Sequence, residues 1–252
     1  MSAPDLNNAA AEPGHPSFQR AILKISGEAF CPPGSFGVHR APLDRIATEI
    51  ADVARLGVQI AVVCGGGNFL RGTHSAEELG IDLATADYMG MLGTVLNALA
   101  LQDTLERRGC PTRLQSALSI SRVGEPFDRR RCLRHLEKGR VVLLAAGTGN
   151  PHVTTDSCAA IRGVELGADV LLKGTKVDGV YDADPARQPN ARLYERVGYS
   201  EVINGRLRVM DIGAAELCEQ HRLPVIVFNL FKHGMLRRVV LGEPVGTRMD
   251  AS

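Results

Sequence analysis

Short runs rich in Val, Ile and Leu alternate along the chain with stretches in which apolar residues recur every three or four positions. The runs 21–25, 59–63, 141–145, 169–172 and 225–228 have the length and composition of buried strands. Between the first two, Pro42 opens a helix whose Leu43, Ile46, Ile50 and Val53 share one face before Gly57 ends it. A second helical stretch covers about 84–108. Its Met89, Met91, Leu92, Val95, Leu96, Leu99 and Leu101 spread round the cylinder, which predicts burial on more than one side and a face for a subunit contact. A third helix is expected over 156–166. Strands alternating with amphipathic helices predict an α/β fold, a mostly parallel twisted sheet with helices on both faces.

No repeat or Pro/Ser linker divides the chain, so residues 20–252 read as one domain. Residues 1–19 have no basic start and no long apolar run, and read as a disordered tail. A chain of 252 residues can bury a core without a disulfide or metal staple. Its net charge of +1 gives no reason to expect nucleic acid or a membrane surface as partner, and no segment reaches the apolar length of a membrane span. The six cysteines form no C-x-x-C pair and read as free thiols of a reducing, cytoplasmic compartment. The seven histidines show no metal-ligand spacing, so no metal-binding residue is assigned.

With overall charge so nearly balanced, any anion must be held locally, and four loops offer the means. In Lys24-Ile25-Ser26-Gly27-Glu28 a lysine near a strand end precedes a small-residue turn, which suits a phosphate but equally an ordinary solvated turn. Gly65-Gly66-Gly67-Asn68 with Arg71 follows an apolar strand; three successive glycines suggest close approach of an anion to the backbone, with the guanidinium adding a paired contact. Gly147-Thr148-Gly149-Asn150-Pro151-His152-Val153-Thr154-Thr155-Asp156 leads into the third helix. Capping explains Thr155 or Asp156, but not the glycines and polar side chains before them. Lys173-Gly174-Thr175-Lys176-Val177-Asp178-Gly179-Val180-Tyr181-Asp182-Ala183-Asp184 alternates cations, acids and a ring, as nucleotide binding or an exposed turn would. Neither a Walker loop nor the protein-kinase motif set is present.

In this order, and with Asp87-Tyr88-Met89-Gly90-Met91 and Val209-Met210-Asp211, the loops resemble the amino-acid kinase superfamily and most closely its uridylate kinase branch. The resemblance runs from Arg20 to Gly246-Thr247 and implies an αβα sandwich that transfers the γ-phosphoryl group of ATP to UMP, in pyrimidine nucleotide biosynthesis. It implies ATP at Lys24, Ile25, Ser26, Gly27, Gly67, Arg71, Thr175, Tyr181 and Asp184. UMP would meet Gly66, Asp87, Thr148, Gly149, Asn150, Pro151, His152, Val153, Thr154 and Thr155. The acceptor side would occupy roughly residues 20–160 and the ATP side 161–252. Mg²⁺ would accompany ATP, and the assembly would be a homohexamer with UTP as inhibitor and GTP as activator.

Two segments depart from the family pattern: His152-Val153 stands where an aromatic pair is common, and the loop 32–37 begins with Pro32-Pro33. For the chemistry, Lys24 and Lys173 are expected to stabilise the transferring group, with Asp156 and Asp211 orienting them. Asp87, near the start of the second helical stretch, is expected either to cap that helix or to meet the acceptor's ribose. The rival readings are a carboxylate or carbamate kinase of the same superfamily, such as an acetylglutamate or aspartate kinase, and a nucleotide-binding assembly without turnover.

Overall fold

The centre of the sheet is built from the five runs of branched aliphatic residues, whose side chains alternate between two cores. A computed structural model describes residues 15–251 except Arg71, Ala186, Pro189, Arg206 and Arg208, and gives only the backbone of residues 72–75. Most of the expected tail and the ATP residue Arg71 therefore lie outside the described residues. The chain joins the domain before the first strand: the Ser17 amide donates to the Val240 carbonyl, and the Gln19 amide donates to Asp169.

The strands are β1 (Arg20–Ile25), β2 (Gln59–Cys64), β3 (Thr112–Ser116), β4 (Glu125–Pro126), β5 (Val141–Ala145), β6 (Val170–Thr175), β7 (Arg196–Gly198), β8 (Val225–Asn229) and β9 (Thr247–Asp250). The helices are α1 (Arg40–Arg55), α2 (Gly72–Leu79), α3 (Leu83–Arg107), α4 (Arg129–Glu137), α5 (Thr155–Leu166), α6 (Tyr199–Asn204), α7 (Ile212–Gln220) and α8 (Met235–Val240). The sheet order is β4-β3-β5-β2-β1-β6-β8-β9-β7, and every neighbouring pair is parallel except β8 with β9. On one side of β1 lie β2, β5, β3 and β4, with β5 inserted between β2 and β3, and the chain then places β6 against the other side of β1. The strand order thus reverses between β1 and β6, where the carboxyl ends of open α/β sheets leave a crevice.

Alternation along β1 distributes its residues. Ala21, Leu23 and Ile25 join the core beneath α1, α3 and α8, whereas Ile22 joins the core beneath α4, α5 and α7. Lys24, on the same face as Ile22, is therefore aimed at α5.

Two boundaries differ from those read in the sequence. β6 continues to Thr175, so Lys173 is the fourth residue of a buried strand rather than the start of a loop. α5 begins at Thr155, because Thr154 is its cap and its hydroxyl accepts the Asp156 and Ser157 amides. Burial takes in a wide arc of α3, with Gly93, Thr94, Asn97 and Thr104 buried as well as Met91, Val95, Ala98, Leu101 and Leu105, and the helix meets α1, α2, β3 and β5, in keeping with the broad burial expected of it. Tyr88, Met89, Leu92 and Leu96 form the stripe left exposed. All six cysteines are buried and free. Burial pushes the Cys64 and Cys132 thiols up to about 12, which leaves them protonated and unreactive. Among the described residues no helix is long and apolar enough to cross a membrane.

Candidate active site

At the crevice, register sets Lys24 on β1 directly beside Lys173 on β6. Both ammonium groups point to the first turn of α5, where the Asp156 carboxylate receives one on each oxygen. Lys24 Nζ lies 2.8 Å from Oδ1, and Lys173 Nζ donates to Oδ2. The three side chains are 11%, 10% and 15% exposed for Lys24, Lys173 and Asp156, so the trio is sheltered but open on one side. Burial on its own would raise the Asp156 carboxyl, but the two lysines outweigh it and hold the group below the usual carboxylate range. Lys173 is lowered from the ordinary lysine value, mainly by burial and further by Lys24, with Asp156 opposing. With both lysines protonated the trio carries one net positive charge in a partly desolvated crevice, which favours an incoming anion.

Asp211 acts one step further away. It caps α7 by accepting the Ala214 amide at 2.8 Å, and it accepts the Ser157 hydroxyl at 2.9 Å and the Thr154 hydroxyl. Its bonds fix the first turn of α5 rather than the lysines themselves, and its charge adds a smaller direct attraction on Lys173.

The glycine triplet has two different explanations. A Cβ on Gly27 would lie 2.5 Å from the Gly67 nitrogen, and one on Gly65 would lie 2.7 Å from the Gly27 nitrogen. A Cβ on Gly66 would lie 2.3 Å from the Gly90 carbonyl oxygen of α3. Close packing of two loops and a helix therefore requires Gly27, Gly65 and Gly66, which corrects the sequence argument that an approaching anion explains the whole triplet. Only Gly67 has nothing within 4 Å of such a Cβ, and it faces a cavity of about 310 Å³. The loop is locked from below by buried Asn68 and Asn97, which exchange side-chain hydrogen bonds of 2.9 and 2.7 Å, while Asn97 also donates to the Gly65 carbonyl.

The loop after β5 is held in an unusual shape: Ala146, Gly147, Gly149 and His152 have φ of +61°, +56°, +81° and +65°. Thr94 of α3 accepts the Ala146 amide at 2.7 Å, and Asp87, a turn inside the same helix, accepts the His152 amide at 2.8 Å. The helix cap is Asp82, whose carboxylate accepts the Ala84 and Thr85 amides. Asp87 is thus no cap; it ties α3 to the loop after β5, with the His152 imidazole 3.8 Å away. Asn150, His152, Val153 and Thr154 are exposed above this loop, and Thr148, Gly149, Pro151 and Thr155 are half-buried.

On the other side of the crevice, Thr175, Tyr181 and Asp184 share a cavity of about 590 Å³. Ile25 is different: its side chain is fully buried in the core, so only its backbone is available to a ligand. Ser26 is extended and precedes the short 3₁₀ turn 27–30, whose Ala29 amide it accepts through its carbonyl. Among the described residues no three His, Cys, Asp or Glu groups converge to hold a metal ion. The carboxylates nearest the lysines are engaged, Asp156 by two ammonium groups and Asp211 by an amide and two hydroxyls.

Sequence reasoning missed Thr94, Asn97 and Ser157, which organise the site without facing it. The available signal was a polar residue on the buried side of an apolar helix, as at Thr94 and Asn97.

The family model described as "Amino acid kinase family" matches residues 19–229. The chain belongs to the amino acid kinase family. Among solved members it is 36% identical to the UMP kinase from Bacillus anthracis, with a TM-score of 0.90 over 92% of this chain and 96% of that one. It is 34% identical to the UMP kinase from Ureaplasma parvum, with a TM-score of 0.87 over 92% and 98%. The uridylate kinase from Archaeoglobus fulgidus is 28% identical, with a TM-score of 0.69 over 91% and 99%.

For this family member the glycine geometry separates packing from binding. Gly27→Ala and Gly66→Ala should each lower unfolding stability by about 2 kcal/mol or more in urea denaturation, from overpacking against backbone. Gly67→Ala should stay within about 0.5 kcal/mol of wild type and should instead raise KM for ATP.

Proposed function

We propose that the chain transfers the γ-phosphoryl group of ATP to UMP, giving UDP and ADP in pyrimidine nucleotide biosynthesis. The observation that carries this reading is the Lys24–Asp156–Lys173 trio at the strand-order reversal, between a cavity bearing Thr175, Tyr181 and Asp184 and the loop that Asp87 holds. The solved relatives named as UMP and uridylate kinases support the choice of acceptor. ATP occupies the side built from residues 161–252 together with Lys24, Ser26, Gly27, Gly67, Arg71 and the Ile25 backbone. UMP occupies the side built from residues 20–160, meeting Asp87 and the stretch 148–155.

Bound Mg²⁺ supplies charge neutralisation on the ATP phosphates; the residues do the rest. Lys24 and Lys173 stand where charge on the transferring group and the leaving oxygen can be stabilised in line with the acceptor. Asp156 keeps two like charges together in the absence of substrate. The UMP phosphate is already anionic, so no general base is needed. The Asp87 carboxylate, which accepts the His152 amide, retains lone pairs that can receive the acceptor's ribose hydroxyls.

The finer expectations belong to the same proposal. A homohexamer would cover the exposed α3 stripe of Tyr88, Met89, Leu92 and Leu96. UTP would inhibit because it shares the uracil and ribose that the acceptor site reads, and GTP would activate through the loop 32–37. The enzyme would work in the cytoplasm.

ADP release measured across UMP, CMP, dUMP, acetylglutamate and aspartate tests the reading. UMP should be the best acceptor, and turnover with acetylglutamate but not UMP would overturn it. In the same assay Asp87→Asn should lower kcat/KM for UMP by about tenfold and for dUMP by less. Equal losses for both would leave Asp87 only its role in holding the loop.

The pH profile provides a second test. Lys173 holds its proton less tightly than a free lysine, so the rate should fall on the alkaline side at a pH below the ordinary lysine range. Bound ATP strengthens that proton's hold, so the alkaline limb of kcat should lie above that of kcat/KM. Lys173→Arg should abolish the limb while retaining part of the rate, since a guanidinium does not titrate there. The Asp156 pKa is also lowered, but in a carboxylate this favours the charged form, so it contributes stability above the ordinary carboxylate value that is lost as pH falls through the folded value.

A further inference from the structure

A second ion pair joins the two loops that bear the lysines. Glu28, four residues after Lys24, accepts from Lys176, three residues after Lys173, at 2.6 Å. The Lys176 backbone is fixed, since the Asn229 side chain donates to its carbonyl at 3.2 Å and the neighbouring Thr175 hydroxyl donates to the Val177 carbonyl at 2.7 Å. Its side chain, in contrast, is 50% exposed, so the pair is not buried structural mortar and contributes little to stability.

The position of this lysine is informative. Thr175 and Val177 line the larger cavity, whereas Lys176 between them turns to the smaller one, which it shares with Glu28 and Gly67. On the ATP reading Gly67 meets the triphosphate, and since Gly67 and Lys176 line the same cavity, a phosphate lying against Gly67 would enter the space that Lys176 faces. A nucleoside triphosphate brings several negative charges, while the trio offers one net positive charge. The Lys176 charge is cancelled by Glu28 until a stronger anion competes for it.

Resting on the ATP reading of this site, we propose that Lys176 is a further phosphate ligand for the nucleoside triphosphate, kept in reserve by Glu28. Glu28 is a positioning residue: it holds the ammonium group beside the phosphate path in the empty protein and gives it up when the triphosphate enters. Glu28 thereby weakens triphosphate binding, and Lys176 strengthens it.

The opposed signs make the test. In calorimetric titrations of the full chain, Lys176→Met should raise the Kd for ATP by about tenfold and Glu28→Gln should lower it by about threefold. The double variant should match Lys176→Met alone, because Glu28 acts through that lysine. AMP, which lacks the β- and γ-phosphates, should bind all four proteins alike, and KM for UMP should not change. A merely structural pair would move ATP affinity in the same direction in both single variants, with a matching loss of Tm, and that result would overturn the proposal. So would ATP affinity unchanged in Lys176→Met. Wild type that binds no ATP at all would instead refute the kinase reading on which the proposal stands.

Discussion

Two lysines placed side by side by strand register repel each other, and the Asp156 carboxylate between them is what makes the arrangement tolerable. Much of the surrounding structure serves to put that carboxylate there. Thr154 caps α5, Asp211 accepts from Thr154 and Ser157 while capping α7, and the two helices are thus fixed at their shared end. Burial, with Lys24 adding to it against the opposing pull of Asp156, makes Lys173 hold its proton less tightly than a free lysine. The folded chain carries this cost at neutral pH, and an entering phosphate relieves it. Stability withheld from the empty protein becomes binding directed to the place where charge is transferred.

The same logic governs the acceptor side. The loop after β5 needs left-handed backbone at two non-glycine residues, Ala146 and His152, which is unfavourable unless something holds it. Thr94 and Asp87, about two turns apart on α3, accept the amides of those very residues. α3 is therefore both a wall of the core and the support for the acceptor loop. Its exposed stripe of Tyr88, Met89, Leu92 and Leu96 lies on the same helix, so a second copy packed there would stiffen the support of the site.

The central strands were legible because they are buried on both faces and therefore read as unbroken apolar runs, as Val141–Ala145 does. β3 and β9 were not, since Thr112–Ser116 and Thr247–Asp250 mix Arg, Gln and Asp with their apolar residues, and β4 and β7 are too short to show a period. Lys24, Lys173 and Asp156 stand out as charges at strand and helix ends, but only the family resemblance singled them out together, and it is the strand register that brings the three into contact. Glycine was harder to interpret: the string Gly65-Gly66-Gly67 looks uniform, yet only long-range packing against Gly27 and Gly90 distinguishes its members. For Asp87 the sequence left a helix cap and a ribose contact both open, and the structure removes the first, because Asp82, five residues earlier, is the cap.

The account depends on Lys173 acting on the transferring phosphoryl group rather than merely balancing Asp156. Single-turnover phosphoryl transfer from ATP to UMP by Lys173→Met, with the variant's fold checked by circular dichroism, tests this most directly. Transfer slowed by about 100-fold or more in a folded protein that still binds both nucleotides is the predicted result. An unchanged rate in that folded variant would contradict the account.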